Sequence, residues 1–333
     1  MTITRRRTLA LGASSLGGLV LPAAGARTVK FRYVTPFNFS LSYSAVFHAK
    51  TGGFFEREGL DVEVINGRGA ALASTLVIAG QAEVARTGGA NYIVSKVESD
   101  APLIAIATIA QVSPFYLISA PAGPLRRPAD MKGRTIGVAS LGGSMENTLA
   151  LTLRSAQVDP ASVERVKVAD VPASYGLIEA KRIDGFLASI SSTAKILAAV
   201  PAAIATAIDD GLPGQVLVAT PSALEKNEDA YVRFLRAVHR SASAILDAPD
   251  LAPIIKAIGS GFEIPGLDDT ATAIRDLTQN AQSWIAKGRA NLLRSVPEQW
   301  AAAAAIMHET AMLRRAVDPA SLYTNALRDK AVA

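Results

Sequence analysis

The chain has 333 residues, half of them hydrophobic and 19% charged, which excludes an intrinsically disordered protein and predicts two domains. Its 34 basic residues exceed its 29 acidic ones, but three arginines stand together at 5–7, and no basic stripe with interleaved aromatics appears elsewhere. This pattern argues against a nucleic-acid-binding protein. The chain has no cysteine, which excludes disulfides, thiolate nucleophiles and cysteine-ligated metals.

The first 26 residues have the features of an export signal. A basic start at 5–7 precedes a weakly apolar run, and an A-G-A sequence at 24–26 matches a cleavage site. The stretch TRRRTL is similar to twin-arginine signals, although Thr8 stands where phenylalanine is usual, so general secretory export stays an alternative. We therefore expect a periplasmic protein that is cleaved after about Ala26.

Short β-rich runs alternate with helical patterns over the next part of the chain. Strands are predicted over residues 29–35, 60–65, 82–87, 102–110 and 115–120. The segments between them carry apolar residues at helical spacing. This alternation predicts βαβ units and a parallel sheet that helices cover on both faces.

A second group of alternating elements indicates an inserted lobe. Strands are predicted at 134–140, 164–169 and 184–189, and an all-helical tail follows 215–227. Turns rich in proline and glycine flank this group. We therefore assign residues 116–217 to a second lobe, and 27–115 with 218–333 to the first, with hinge strands near 113–120 and 214–220.

The stretch GVASLGGS at 137–144 has the glycine spacing of a phosphate-binding loop. Gly143 occupies the lysine position, so the loop lacks the side chain that a nucleotide hydrolase needs for the β- and γ-phosphates. The predicted strand before it and helix after it suit an anion-binding helix start, to which Ser140 and Ser144 would add hydroxyl groups. A plain strand–turn–helix with a serine cap is the alternative.

Three further polar loops follow predicted strands of the first lobe. They are TPFNFSLSYS (35–44), GRGAALAS (67–74), in which Arg68 could pair with an anion, and RTGGANY (86–92). Open α/β sheets bind ligands at the carboxyl ends of their strands, so these loops predict a shared cleft, although each polar residue alone could be a simple cap. The candidate ligand-binding residues are Asn38, Ser42, Tyr43, Arg68, Gly69, Thr87, Gly88, Ser113, Ser140, Gly143, Ser144, Ser174 and Asp184.

Two observations bear on chemistry. Asp184 stands at a predicted turn facing the cleft, where an ordinary turn aspartate is equally compatible. His48, His239 and His308 lie in helical patterns without carboxylates at metal-ligand spacing, and no G-x-S-x-G or H-E-x-x-H motif occurs. We therefore predict no catalytic residue, no metal and no cofactor.

Several stretches between residues 29 and 250 together carry a family resemblance. GGFFEREGLDVEVINGRG, ALASTLVIAGQAEV, PADMKGRTIGV, EAKRIDGFLAS and the helical SALEKNEDAYVRFLRAVHRSASAILDAPD resemble segments of the type II periplasmic solute-binding proteins. The relevant branch handles nitrate, sulfonates, taurine and thiamine-pyrimidine precursors. Glu83 and Gly185 stand where the family usually has aspartate and alanine, which loosens the transfer of substrate identity but not of fold.

The resemblance implies an α/β fold of the type II periplasmic-binding-protein class: two Rossmann-like lobes, a two-strand hinge and a helical C-terminal region. It implies a monomeric receptor of an ABC importer, with a permease and its ATPase subunits as partners. The solute would be a small organic or inorganic anion, such as a sulfonate, taurine or nitrate, or a thiamine pyrimidine precursor. The alternatives are a periplasmic enzyme on the same fold and a ligand-sensing partner of a membrane receptor. A fungal branch of this fold makes the thiamine pyrimidine with a cysteine-rich motif, and the absence of cysteine here argues against that activity.

Overall fold

The computed structural model describes residues 28–208 and 211–333, so the predicted export signal lies outside the described residues. In those two ranges, none of the helices combines the length and the apolar character needed to cross a bilayer.

The first lobe contains a five-stranded mixed sheet, sheet A. In spatial order its strands are β2 (Leu60–Ile65), β1 (Val29–Val34), β3 (Val84–Gly88), β10 (Gln215–Ala219) and β4 (Ile104–Ala110). Strand β1 pairs in parallel with β2 and β3, whereas β10 pairs antiparallel with β3 and β4. The strand that returns from the second lobe therefore lies inside the first sheet.

The second lobe contains a matching sheet, sheet B. In spatial order its strands are β7 (Glu164–Lys167), β6 (Thr135–Val138), β8 (Gly185–Ser189), β5 (Phe115–Ser119) and β9 (Ile204–Ala207). Strand β6 pairs in parallel with β7 and β8, whereas β5 pairs antiparallel with β8 and β9. Nothing in the alanine-rich sequence predicts β9, which is a partly exposed edge strand.

The antiparallel strands correct the prediction of purely parallel pairing. The chain leaves sheet A at the carboxyl end of β4 and enters sheet B at the same side of the molecule, where Phe115 pairs with Ser189 at the end of β8. On its return, Gln215 pairs with Gly88 at the end of β3. Because both crossings join the facing edges of the two sheets, β5 and β10 start where their neighbours end.

Helices cover both sheets and form the C-terminal region. They are α1 (Ser44–Thr51), α2 (Phe54–Arg57), α3 (Ala70–Ile78), α4 (Gly89–Glu98), α5 (Ser144–Ser155), α6 (Tyr175–Glu179), α7 (Ile190–Ala199), α8 (Pro221–Asp247), α9 (Ala252–Gly261), α10 (Thr270–Trp284), α11 (Pro297–Glu309) and α12 (Ala326–Val332). Helix α8 is kinked at Asn227.

Successive side chains of sheet A point to opposite faces of the sheet, so each face packs into its own hydrophobic core. One face packs on α1, α8 and α10 around Phe31 and Phe234, whose rings stack at 4.7 Å between centroids. The other face packs on α4 and α11 around Tyr92 and Trp300, at 6.0 Å. With both faces covered, the ends of the strands and their loops are left to form a site.

Candidate functional site

A cavity of about 800 Å³ lies between the lobes, where the loops after the parallel strands of both sheets face each other. Lobe 1 contributes the loops after β1 and β2 and the start of α10. Lobe 2 contributes the residues after β6, β7 and β8 and one face of α7. This is the carboxyl-edge position at which open α/β sheets bind ligands.

Aromatic rings form part of the wall. Phe37, Phe39 and Tyr43 line the cavity from the loop after β1. The Phe39 ring packs edge-on against Phe47 and Phe262, with centroids at 5.1 and 5.5 Å, so it is fixed from behind. The site therefore offers a rigid apolar surface to a ligand body.

Two cationic side chains line the cavity without a counter-charge. Arg68, two residues before α3, and Lys167, at the end of β7, are both exposed. Neither has a hydrogen-bonding or ion-pairing partner within residues 28–208 and 211–333. By contrast, the Lys195 ammonium donates to the Pro265 carbonyl of the other lobe at 2.7 Å.

A third cation lies behind the Tyr43 wall. Arg86, on β3, is only 3% exposed; it donates to the Ser42 carbonyl at 2.5 Å and to the Gln215 side chain at 3.2 Å. Its guanidinium carbon lies 5.1 Å from the Tyr43 ring centroid. No carboxylate in the described part of the chain pairs with it, so the cavity wall has an uncompensated positive charge beneath it.

The cavity also holds two carboxylates. Asp269 caps α10, because its oxygens accept from the Thr272 backbone N–H at 3.0 Å and hydroxyl at 2.6 Å. Asp170, after β7, accepts from the Ser189 N–H at 3.2 Å. Burial raises the pKa of the Asp170 carboxyl, while hydrogen bonds from Ser192 and Ser189 and the charge of Lys195 oppose that rise.

A hydrogen-bonded chain crosses between the lobes beside the cavity. Ser42 of lobe 1 lies 3.0 Å from Ser191 of lobe 2, hydroxyl to hydroxyl, and Ser191 donates to Asp276 Oδ1 on α10 of lobe 1 at 2.7 Å. The Asn280 amide donates to the same Oδ1 at 2.7 Å. These four residues, the interlobe chain, hold the start of α7 against α10.

Four of the predicted ligand-binding residues line this cavity. They are Asn38, Ser42, Tyr43 and Arg68. Gly69 follows Arg68 directly at the start of α3, where its N–H donates to the Pro36 carbonyl at 2.7 Å. The loops after β1 and β2 thus lie where the sequence predicts.

The glycine loop between β6 and α5 makes a contact between the lobes instead. The buried Ser144 hydroxyl accepts from the Gly88 N–H of lobe 1 at 3.1 Å. The Gly142 N–H donates to the Glu146 carboxylate, and a Cβ on Gly143 would lie 2.0 Å from the Ser140 hydroxyl. Only Ala139 of this region lines the cavity.

The remaining candidates do not line the cavity either. Thr87 accepts from the Asn91 amide at 3.0 Å, and the Ser174 hydroxyl donates to the Ala169 carbonyl at 2.7 Å. Ser113 lies between β4 and β5, where its buried hydroxyl has no partner in the described residues. Their positions are close to the facing edges of the sheets, but none of the three lines the cavity.

Asp184 lies at the opposite edge of sheet B. Its carboxylate accepts from the Thr135 N–H at 2.9 Å and from Arg134 at 3.1 Å. Because β6 and β8 run in parallel, residues directly before them lie far from the residues that follow them. Asp184 therefore joins two strand starts and does not face the cleft, in contrast to the sequence prediction.

Sequence reasoning missed most of the contribution of lobe 2. Lys167, Asp170, Ser189 and Ser191 line the cavity and stand at or just after the ends of β7 and β8. The carboxyl-edge rule identifies all four once it is applied to these strands as well as to β6. No sequence signal marks the start of α10, which reaches the cavity from the helical tail.

The family of the chain follows from a family model described as NMT1/THI5 like, which matches residues 41–252. The chain belongs to the NMT1/THI5-like family. This confirms the family resemblance of the sequence. YtlA of Bacillus subtilis (strain 168), provisionally named as a binding protein, is 23% identical over an alignment of 265 residues that covers 75% of this chain and 78% of YtlA.

Solved structures show which fold this NMT1/THI5-like chain adopts. The alkanesulfonate-binding protein SsuA from Xanthomonas axonopodis pv. citri, bound to MOPS, is 16% identical with a TM-score of 0.65, covering 90% of this chain and 99% of SsuA. The periplasmic nitrate-binding protein NrtA from Synechocystis PCC 6803 is 12% identical with a TM-score of 0.68, covering 92% of this chain and 89% of NrtA. The chain therefore has the periplasmic-binding-protein fold.

Proposed function

We propose that this protein is a solute-binding receptor of an ABC importer that captures an organic anion between its two lobes without converting it. The observation that carries the proposal is one cavity lined by both lobes, with Arg68 and Lys167 on its wall and no ion pair to either of them among the described residues. Lobe closure would bury the solute, and release would follow when the lobes separate.

The charges support an anionic solute. Arg68 and Lys167 face the cavity unpaired, and Arg86 adds a buried positive charge behind Tyr43. The two cavity carboxylates are themselves hydrogen-bonded. Asp269 caps α10, and Asp170 accepts from the Ser189 N–H. A negative group can pair directly with the first two cations and is attracted by the third at low effective dielectric.

The size of the cavity supports an organic body. A volume of about 800 Å³ lies toward the upper part of the range that small-molecule sites use, roughly 300–1,000 Å³. Phe37, Phe39 and Tyr43 supply an apolar wall. An aromatic or alkyl sulfonate or carboxylate fills such a site better than nitrate does, because nitrate would leave the wall without contact.

The named neighbours agree with an anion. One is an alkanesulfonate-binding protein bound to MOPS and the other is a nitrate-binding protein. By extension we propose that this chain is exported by its N-terminal segment, acts in the periplasm as a monomer and delivers its solute to a permease with ATPase subunits.

The test is a thermal-shift panel on the purified protein, followed by calorimetry. Sulfonates (MOPS, taurine, benzenesulfonate), benzoate, nitrate and an aminopyrimidine are compared at equal ionic strength. A ligand that binds only the folded state raises Tm, by an amount that grows with its concentration over Kd. We expect the aromatic sulfonate or carboxylate to give the largest shift, and recovery of the ligand unchanged. Preference for the uncharged pyrimidine, or turnover of any ligand, would contradict the proposal.

A further inference from the structure

We propose that the interlobe chain of Ser42, Ser191, Asp276 and Asn280 is a proton-sensitive latch that favours closure of the lobes as the medium becomes acidic. The inference rests on the proposed receptor function, because it concerns how the solute is retained.

The geometry makes Asp276 a sensor of closure. Its side chain belongs to lobe 1 and is fully buried, and one of its two hydrogen-bond donors, Ser191, belongs to lobe 2. Its Oδ1 accepts from Ser191 and Asn280, whereas Oδ2 has no donor among the described residues. Separation of the lobes removes Ser191 and admits water to both oxygens.

The charges around Asp276 do not neutralise it. Lys195 on α7 attracts the carboxylate from a distance, and Asp170, after β7, repels it. None of the ion pairs of the described chain includes Asp276. An ionised carboxylate is therefore costly in the closed molecule, and a proton on Oδ2 removes this cost while both hydrogen bonds at Oδ1 stay in place.

The direction of the pH effect follows from linkage. Burial raises the pKa of Asp276 to about 6 in the closed molecule, although the hydrogen bonds from Ser191 and Asn280 and the charge of Lys195 oppose the rise. In the open molecule the solvated carboxyl returns toward its ordinary value of 3.8. The closed form therefore binds the proton more tightly. With these pKa values the ratio of closed to open molecules rises about tenfold between pH 7.5 and pH 5.0.

The test measures closure without any solute. The chain has no cysteine, so a dye pair can be attached through Ser260→Cys on α9 and Ala173→Cys on lobe 2, both exposed positions. Energy transfer between the dyes is followed from pH 7.5 to 5.0 at constant ionic strength. We expect a larger closed fraction at low pH in the wild-type background, and an unchanged fraction would overturn the proposal.

Asp276→Asn keeps the shape of the side chain and removes the titration, so its closed fraction should not change with pH. The three histidines remain in this variant, and any response that they cause would persist and contradict the latch. Asp170→Asn is the matched control: it removes the neighbouring carboxylate but should keep the response. Loss of the response in Asp170→Asn alone would overturn the assignment to Asp276.

A second variant covers the case in which Asp276→Asn fails to fold. Ser191→Ala removes the donor of lobe 2 from the ionised carboxylate, so the midpoint of the response should move to higher pH. A midpoint at or below that of wild type would contradict the latch. Because no solute is present, the result is independent of the thermal-shift panel, and the two proposals can fail separately.

Discussion

Arg68 and Lys167 differ from the ion-paired cations of the described residues, because no carboxylate there pairs with either of them. Arg32, for example, is bound by Glu83 at 3.0 Å, and Arg127 by Asp130 at 3.0 Å. A solvated free cation costs the folded protein little, but it gains a charge-assisted hydrogen bond when an anion enters and water leaves. Each of the two side chains is thus available for recognition.

Replacing either cation with glutamine should weaken anion binding. Arg68→Gln and Lys167→Gln each remove a charge-assisted hydrogen bond of about 1.5 kcal/mol, which corresponds to roughly a tenfold loss of affinity. Calorimetry with the best sulfonate or carboxylate of the panel measures the effect. Lys132→Gln removes one exposed positive charge outside the cavity and serves as the control. Equal affinity in all three variants would show that Arg68 and Lys167 do not bind the ligand.

Helix α8 is fixed to lobe 1 by an ion pair as well as by its apolar face. The Glu58 carboxylate, 9% exposed, accepts from Arg236 at 3.0 Å and from Arg240 at 2.8 Å, both on α8. Since the two arginines are themselves partly exposed, solvent weakens the interaction. The contact still joins the segment before β2 to the longest helix of the described residues.

Glu58→Gln should lower the free energy of unfolding by about 1–2 kcal/mol, because it leaves two guanidinium groups without their shared carboxylate. Urea denaturation measures the change. Asp229→Asn is the control, since Asp229 is 77% exposed in its pair with Arg233 and should change the stability by less than about 0.5 kcal/mol. If Asp229→Asn lowered the stability as much as Glu58→Gln does, burial would not explain the difference between the two ion pairs.

Elements with a clear alternating or apolar pattern could be predicted from the sequence. Strand β2 has the predicted bounds of 60–65, and β5 and β8 differ from prediction by only one residue at an end. Strand β9 was missed because alanine and threonine at a partly exposed edge carry no such pattern. Strand direction was missed because it depends on where the chain crosses between lobes, which no local pattern records.

The sequence predicted cavity-lining residues correctly only where a loop that follows a strand lines the cavity with its own side chains. The loop after β1 and Arg68 follow their strands immediately, so the carboxyl-edge rule locates them. Ser144 obeys the same rule, yet its hydroxyl meets Gly88 of the other lobe. Asp276 cannot be found in this way, because the packing of α10 against α7 brings it to Ser191.

At the scale of the whole molecule, two of the contacts between the lobes bear directly on closure. One is the interlobe chain, and the other joins the starts of α4 and α5, where Gly88 meets Ser144 and Asn91 lies 3.5 Å from Asn147. At the second contact there is no room for a side chain on Gly88. A Cβ added at this position would lie 2.5 Å from both the Cβ and the Oγ of Ser144.

Gly88→Ala should therefore hold the lobes apart and weaken solute binding by at least about tenfold, while each lobe stays folded. Gly88 has a φ of −71°, so alanine strains the neighbouring lobe and not its own backbone. Small-angle scattering with calorimetry measures both effects. Gly176→Ala on α6, where a Cβ would meet nothing within 4 Å in the described structure, is the control. A compact Gly88→Ala protein with wild-type affinity would contradict this role.

The position of β10 has a consequence for the order in which the molecule is completed. Sheet B draws all its strands from residues 115–207, whereas sheet A needs β10, which pairs with both β3 and β4 near its centre. A chain that folds from its N-terminus onward therefore finishes its second lobe while the first still lacks an inner strand. Sheet A can be completed only after the whole of lobe 2 has emerged, because β10 comes after lobe 2 in the chain. Lobe 2 is therefore expected to fold before lobe 1, although lobe 1 begins first in the sequence.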